Sequence, residues 1–96
     1  MPGPLTVDDF QPLVGSPLAA GDEGSSQPLE LLTAEPARDR AGAARTGFSL
    51  LFRGAPAPVL QQGVYRVMHP TLGALDIFLV PVGSDPQGVQ YEAIFN

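Results

Sequence analysis

The run Ala74-Leu75-Asp76-Ile77-Phe78-Leu79-Val80-Pro81-Val82 reads as a β-strand, and its reading decides the fold class. It is rich in β-branched and aromatic residues, is shorter than a buried helix needs, and stands between Gly73 and Gly83. Three runs of the same kind surround it: Phe48 to Phe52, Val64 to Met68 and Val89 to Phe95. The Gly- and Pro-containing stretches 54–63, 69–73 and 83–88 separate them. Short sequential connections favour antiparallel neighbours, so residues 48–95 are expected to form a four-stranded meander.

A strand has period two, which sorts these residues onto two faces. Phe48, Leu50 and Phe52 fall on one side, aligned with Tyr65 and Val67, with Leu75, Ile77 and Leu79, and with Tyr91, Ala93 and Phe95. This is the predicted core face, and the alternation through Val89, Tyr91, Ala93 and Phe95 makes the last strand an integral part of it. The opposite face carries Leu51, Arg53, Val64, Arg66, Met68, Asp76, Phe78, Val80, Glu92 and Ile94. That face is too apolar to be left wholly to water, so something is expected to cover it. A hairpin loop drawn at His69-Pro70-Thr71-Leu72-Gly73 sets Met68 opposite Ala74 and Arg66 opposite Asp76, which predicts a cross-strand ion pair.

The N-terminal half supplies the simplest cover. Residues 5–15 carry a short-helix signature, with Thr6 as cap, Asp8 and Asp9 in the first turn and Gly15 as stop, while Pro12 limits the length. Residues 16–34 read as two short strands around the turn cluster Gly21-Asp22-Glu23-Gly24-Ser25-Ser26, and residues 35–47 read as a loop. Phe10, Leu13, Val14, Leu18, Leu29, Leu31 and Leu32 are available to pack over the second sheet face. The expected architecture is mainly β: one domain over residues 1–96, a small antiparallel β-sandwich or partly open barrel with one short N-terminal helix. A partner subunit is the alternative cover. No internal repeat relates the two halves.

Composition narrows the functions. Hydrophobic residues make up 44% and charged residues 16%, enough apolar material for one core in 96 residues. The formal net charge is -5, and every basic residue is arginine. Nucleic acid and anionic membrane surfaces need clustered positive charge and are not expected partners. Absent lysine and abundant Ala, Gly and Pro point to coding bias rather than to mechanism. Without cysteine there is no disulfide framework, thiolate metal site or cysteine nucleophile. Met1-Pro2-Gly3-Pro4 lacks the pattern of a signal peptide, and no stretch approaches the roughly 20 apolar residues of a membrane-spanning helix. Synthesis in the cytoplasm is expected, with a place in an exported or extracellular assembly left open.

Catalytic and metal signals are weak. His69 is the one histidine and begins a Pro-containing turn, where a structural role is favoured over acid-base chemistry. Asp8-Asp9 and Asp22-Glu23 lack the alternating ligand spacing of a calcium loop and read as cap and turn carboxylates. Gly83-Ser84-Asp85-Pro86-Gln87-Gly88 joins two strands and has no Gly-Lys-Ser/Thr, so it is a hairpin connection rather than a phosphate loop. Ser49, in Gly47-Phe48-Ser49-Leu50-Leu51, continues a strand and lacks the second glycine of a nucleophile elbow. No catalytic residue, cofactor, metal or small-molecule substrate is expected. A remote enzyme reading would need His69, Tyr65 and Glu92 together in a pocket at the sandwich mouth.

The segments Phe48-Ser49-Leu50-Leu51-Phe52-Arg53-Gly54, Gln62-Gly63-Val64-Tyr65-Arg66, His69-Pro70, Leu72-Gly73, Ile77-Phe78-Leu79-Val80-Pro81-Val82-Gly83 and Tyr91-Glu92-Ala93-Ile94-Phe95-Asn96 resemble a family of short uncharacterised bacterial proteins. The opening segment, Thr6 to Gly15, is similar to it as well. That resemblance implies gene neighbourhood with tail-collar-type fibre proteins, hence an accessory or structural role in a phage-tail-like or surface-fibre assembly, and it identifies no active site. A freestanding binding module or folding helper is the second reading. On either, a protein partner or homo-oligomer contact is expected at Leu51, Arg53, Arg66, Phe78 and Ile94, with the two arginines at its boundary.

Overall fold

The computed structural model describes residues 5–22, 25–38, 44–57 and 59–95. Six strands run β1 Pro17–Asp22, β2 Ser25–Arg38, β3 Ala44–Gly54, β4 Gly63–His69, β5 Gly73–Asp85 and β6 Gly88–Phe95. They close into one antiparallel barrel in the order β1-β2-β3-β6-β5-β4. The mainly β, antiparallel expectation holds, and the barrel is closed rather than partly open. β1-β2-β3 and β4-β5-β6 are each three-stranded meanders, joined by β3 against β6 and β1 against β4. The two halves thus share a connectivity that no sequence repeat announces.

Two strand assignments differ from the sequence reading. Residues 48–95 are not a four-strand meander, because β3 pairs with β6 over Phe48↔Phe95 to Gly54↔Val89 and does not adjoin β4. Eight residues, 55–62, separate β3 from β4, and that is length enough to cross the barrel mouth rather than turn a hairpin. The 35–47 loop is also shorter than expected, since β2 continues to Arg38 and β3 begins at Ala44; residues 39–43 lie outside the described residues. Bulges between Leu31 and Thr33 and between Pro36 and Arg38 break the alternation of β2, which hides a strand from a period-two reading.

Prolines within strands obey the ladder. Pro28 pairs only with β1, Pro36 only with β3, and Pro81 lies beyond the last β4 partner of β5. Each missing N–H falls where the strand has a neighbour on one side only.

Inside the barrel the predicted core face is in place. Phe48, Leu50, Phe52, Val67, Ile77, Leu79, Val89, Tyr91 and Ala93 are buried, with Tyr65, Leu75 and Phe95 partly buried at the ends. The N-terminal half adds Phe10, Leu18, Leu29 and Leu31 to the same interior. Here the expectation of a covering layer is overturned. β1 and β2 pair edge to edge with the other strands and turn Leu18, Leu29 and Leu31 inward, so they complete the barrel wall and do not lie over the second face of β3 to β6.

Both mouths are capped. At one end, the short helical segment expected over residues 5–15 is present as two single 3-10 turns, Val7–Asp9 and Gln11–Leu13, with Pro12 in the second turn and Gly15 at φ +90° ending it. The Asp9 carboxylate accepts the Thr6 backbone N–H at 2.9 Å. These turns drive Phe10 into the barrel end, where its ring meets Phe48, Phe95 and His69 at centroid distances of 5.8, 6.2 and 5.3 Å. At the other mouth the Leu60 N–H donates to the Tyr91 hydroxyl at 2.8 Å, pinning the crossing segment over the core.

Candidate functional site

His69 is the residue type most able to do chemistry, and both of its ring nitrogens are engaged. It is buried beside the Phe10 plug. Its Nδ1 accepts the backbone N–H groups of Thr71 and Leu72 at 3.1 and 3.0 Å, so that nitrogen carries the lone pair. Nε2 then holds the hydrogen and donates to the Asp9 carbonyl at 2.7 Å. One ring shapes the β4–β5 turn and fastens the N-terminal plug to it, leaving neither nitrogen free. Tyr65 spends its hydroxyl on the Gln61 carbonyl at 2.6 Å. Glu92 lies on the outer face, opposite Leu51 and Val80 in register. The three residues of the enzyme reading are not brought together.

The outer face of β3, β6, β5 and β4 is where the remaining unexplained surface lies. Val64 sits opposite Phe78. Phe78 and Ile94 lie on this same face, each two residues beyond Val80↔Glu92, the last β5–β6 pair, and Ile94 faces Ser49 on β3. Val64, Phe78 and Ile94 are 61%, 48% and 62% exposed, large apolar side chains on the outer face of three adjacent strands. Leu51, Glu92 and Val80 lie opposite one another in register on the same face, all half-buried. Met68, further along β4, is 47% exposed. An isolated exposed apolar residue is ordinary, but a set of them on one sheet face is not.

The two arginines lie at the margins. Arg66 is opposite Asp76, as its register predicts, and the pair stands at 3.8 Å, well exposed on both sides. Arg53 is 3.9 Å from Asp85 and borders a groove of about 570 Å³ formed with Pro17, Pro28, Glu30, Gly54 and Ala57. Its Nε is buried and has no hydrogen-bond partner among the described residues. Leu51, Phe78 and Ile94 therefore share one surface, with Arg66 and Arg53 on opposite sides of it. The half-buried Glu92 at its centre was assigned to this face by period two but not to the contact set, because sequence alone does not show that it lacks a cation. Among the described residues no ion pair reaches it, and no helix is long and apolar enough to cross a membrane.

Fold and surface define a small closed β-barrel with a filled interior and its unsatisfied chemistry on the outside. The chain belongs to the family described as a domain of unknown function, DUF6916, which matches residues 5–95. No curated protein and no solved structure matches it.

Proposed function

We propose that this protein is a non-catalytic accessory or structural component of a protein assembly of the phage-tail-like or surface-fibre kind, docking through the Val64, Phe78 and Ile94 set. The observation that carries the reading is that set: large apolar side chains about half or more exposed on adjacent strands, on a barrel whose own N-terminal half is spent on the wall and the plug. Water contact of that kind is costly, and a partner surface removes it. The fibre context draws on the resemblance of residues 48–96 to short bacterial proteins encoded beside tail-collar-type fibre proteins. On this reading the chain is made in the cytoplasm and joins an assembly that leaves it.

A freestanding binding module or folding helper would use the same face and be released afterwards. Purified assemblies from a strain carrying a tagged copy separate the two. Stoichiometric retention of the tagged chain in the mature particle is expected; its presence in the lysate with absence from the particle would favour the helper.

A further inference from the structure

Glu92 says what kind of partner this face takes. The residue is half-buried, opposite Leu51 and Val80 in register and two residues along β6 from Ile94, with no cation within ion-pair distance among the described residues. Any surface that covers the apolar set also takes water away from Glu92. A carboxylate desolvated without a donor is strongly unfavourable, so the covering surface must bring one. The two arginines of this face do not supply it, since Arg66 is engaged with Asp76 and Arg53 with Asp85. A second copy would meet the same problem, bringing its own Glu92 and its own net charge of -5 to the contact.

We infer that the face takes a different protein, through a segment that sets large apolar residues against Val64, Phe78 and Ile94 and an arginine or lysine against Glu92. The inference rests on the proposed docking role of this face and specifies its partner. Arginine suits the site better, because its planar fork reaches a carboxylate with two donors and is less strongly hydrated than an ammonium.

The test is selection of a random 12-residue peptide library displayed on phage against the immobilised protein. Wild type is expected to enrich peptides that combine large apolar residues with Arg or Lys. Glu92→Gln is expected to lose the basic enrichment while keeping the apolar one, and a wild-type-selected peptide should bind it about tenfold more weakly, the loss of one charge-assisted hydrogen bond. Asp8→Asn makes the same change of net charge on the N-terminal plug and should select as wild type does. Basic enrichment that persists in Glu92→Gln, enrichment without basic residues in wild type, or no enrichment at all would overturn the inference. So would reversible dimerisation of the purified protein at micromolar concentration that Phe78→Glu abolishes, because the occupant would then be a second copy. If Phe78→Glu selects the same peptides as wild type, the docking role of the face itself is what fails.

Discussion

Replacing His69 by alanine strands three backbone groups at once: the Asp9 carbonyl and the Thr71 and Leu72 N–H groups. The expected loss is about 1–3 kcal/mol, because these groups are only partly screened from water and each lost bond costs about 0.5–1.5 kcal/mol. His69→Asn should lose less, since its side-chain oxygen reaches the same two N–H groups as Nδ1 in an Asx turn and only the Asp9 bond goes. Chemical denaturation of the two variants checks the order, and equal losses would mean that the turn does not depend on the ring. Partner capture by folded His69→Asn should match wild type. Phe95 is a second case in which structure resets a magnitude. It stacks on Phe48 with centroids 4.4 Å apart and planes 7° from parallel, but it is only partly buried. Phe95→Ala should therefore cost about 2–3 kcal/mol, short of the roughly 3–5 kcal/mol of a fully enclosed ring.

Among the elements, the β5–β6 hairpin depends on one glycine. Gly88 has φ +154°, and a Cβ there would lie 1.9 Å from the Gly54 carbonyl oxygen of β3. Gly88→Ala must push apart the β3–β6 junction and is expected to cost about 1–3 kcal/mol in a thermal or denaturant melt; an unchanged melt would show that the two strands approach less closely. The turn it closes is held by Asp85, whose Oδ1 accepts the N–H groups of Gln87 and Gly88 at 2.8 and 3.0 Å. On β4 and β5 the Arg66–Asp76 pair is so exposed that Asp76→Asn should change stability by at most about 1 kcal/mol. These β4–β5 details were legible in sequence because a hairpin of five loop positions fixes its register locally. The inward set of β3 to β6 was legible for the same reason: alternation is a property of each strand alone. The partner of β3 was not. Whether 55–62 turns back or crosses the barrel is settled by what closes the sheet elsewhere, namely β1 meeting β4 at Ala20↔Val67 and Gly21↔Arg66. The length of β2 was hidden by its two bulges, and the work of residues 5–15 by the fact that a plug and a covering layer need the same Phe10.

For the whole molecule, the decisive point is that the described residues form no second layer over the barrel. Its interior is filled from all six strands and both mouths are capped, so the outer apolar set cannot be explained as core left half-finished. The candidate contact residues Leu51, Phe78 and Ile94 were legible as one face, with the arginines beside it, because they follow from period two. Which half of the chain would lie over that face was not legible, because leucines facing a barrel interior and leucines facing a sheet from above have the same spacing. The central claim is that this face is functional and structurally dispensable. Phe78→Glu tests it most directly, in a tagged strain compared with wild type by affinity capture and quantitative mass spectrometry, with melting of the purified variant measured alongside. The account expects an unchanged melting temperature together with loss of the proteins that wild type captures. Capture of the same proteins at wild-type levels by a folded Phe78→Glu variant would contradict it.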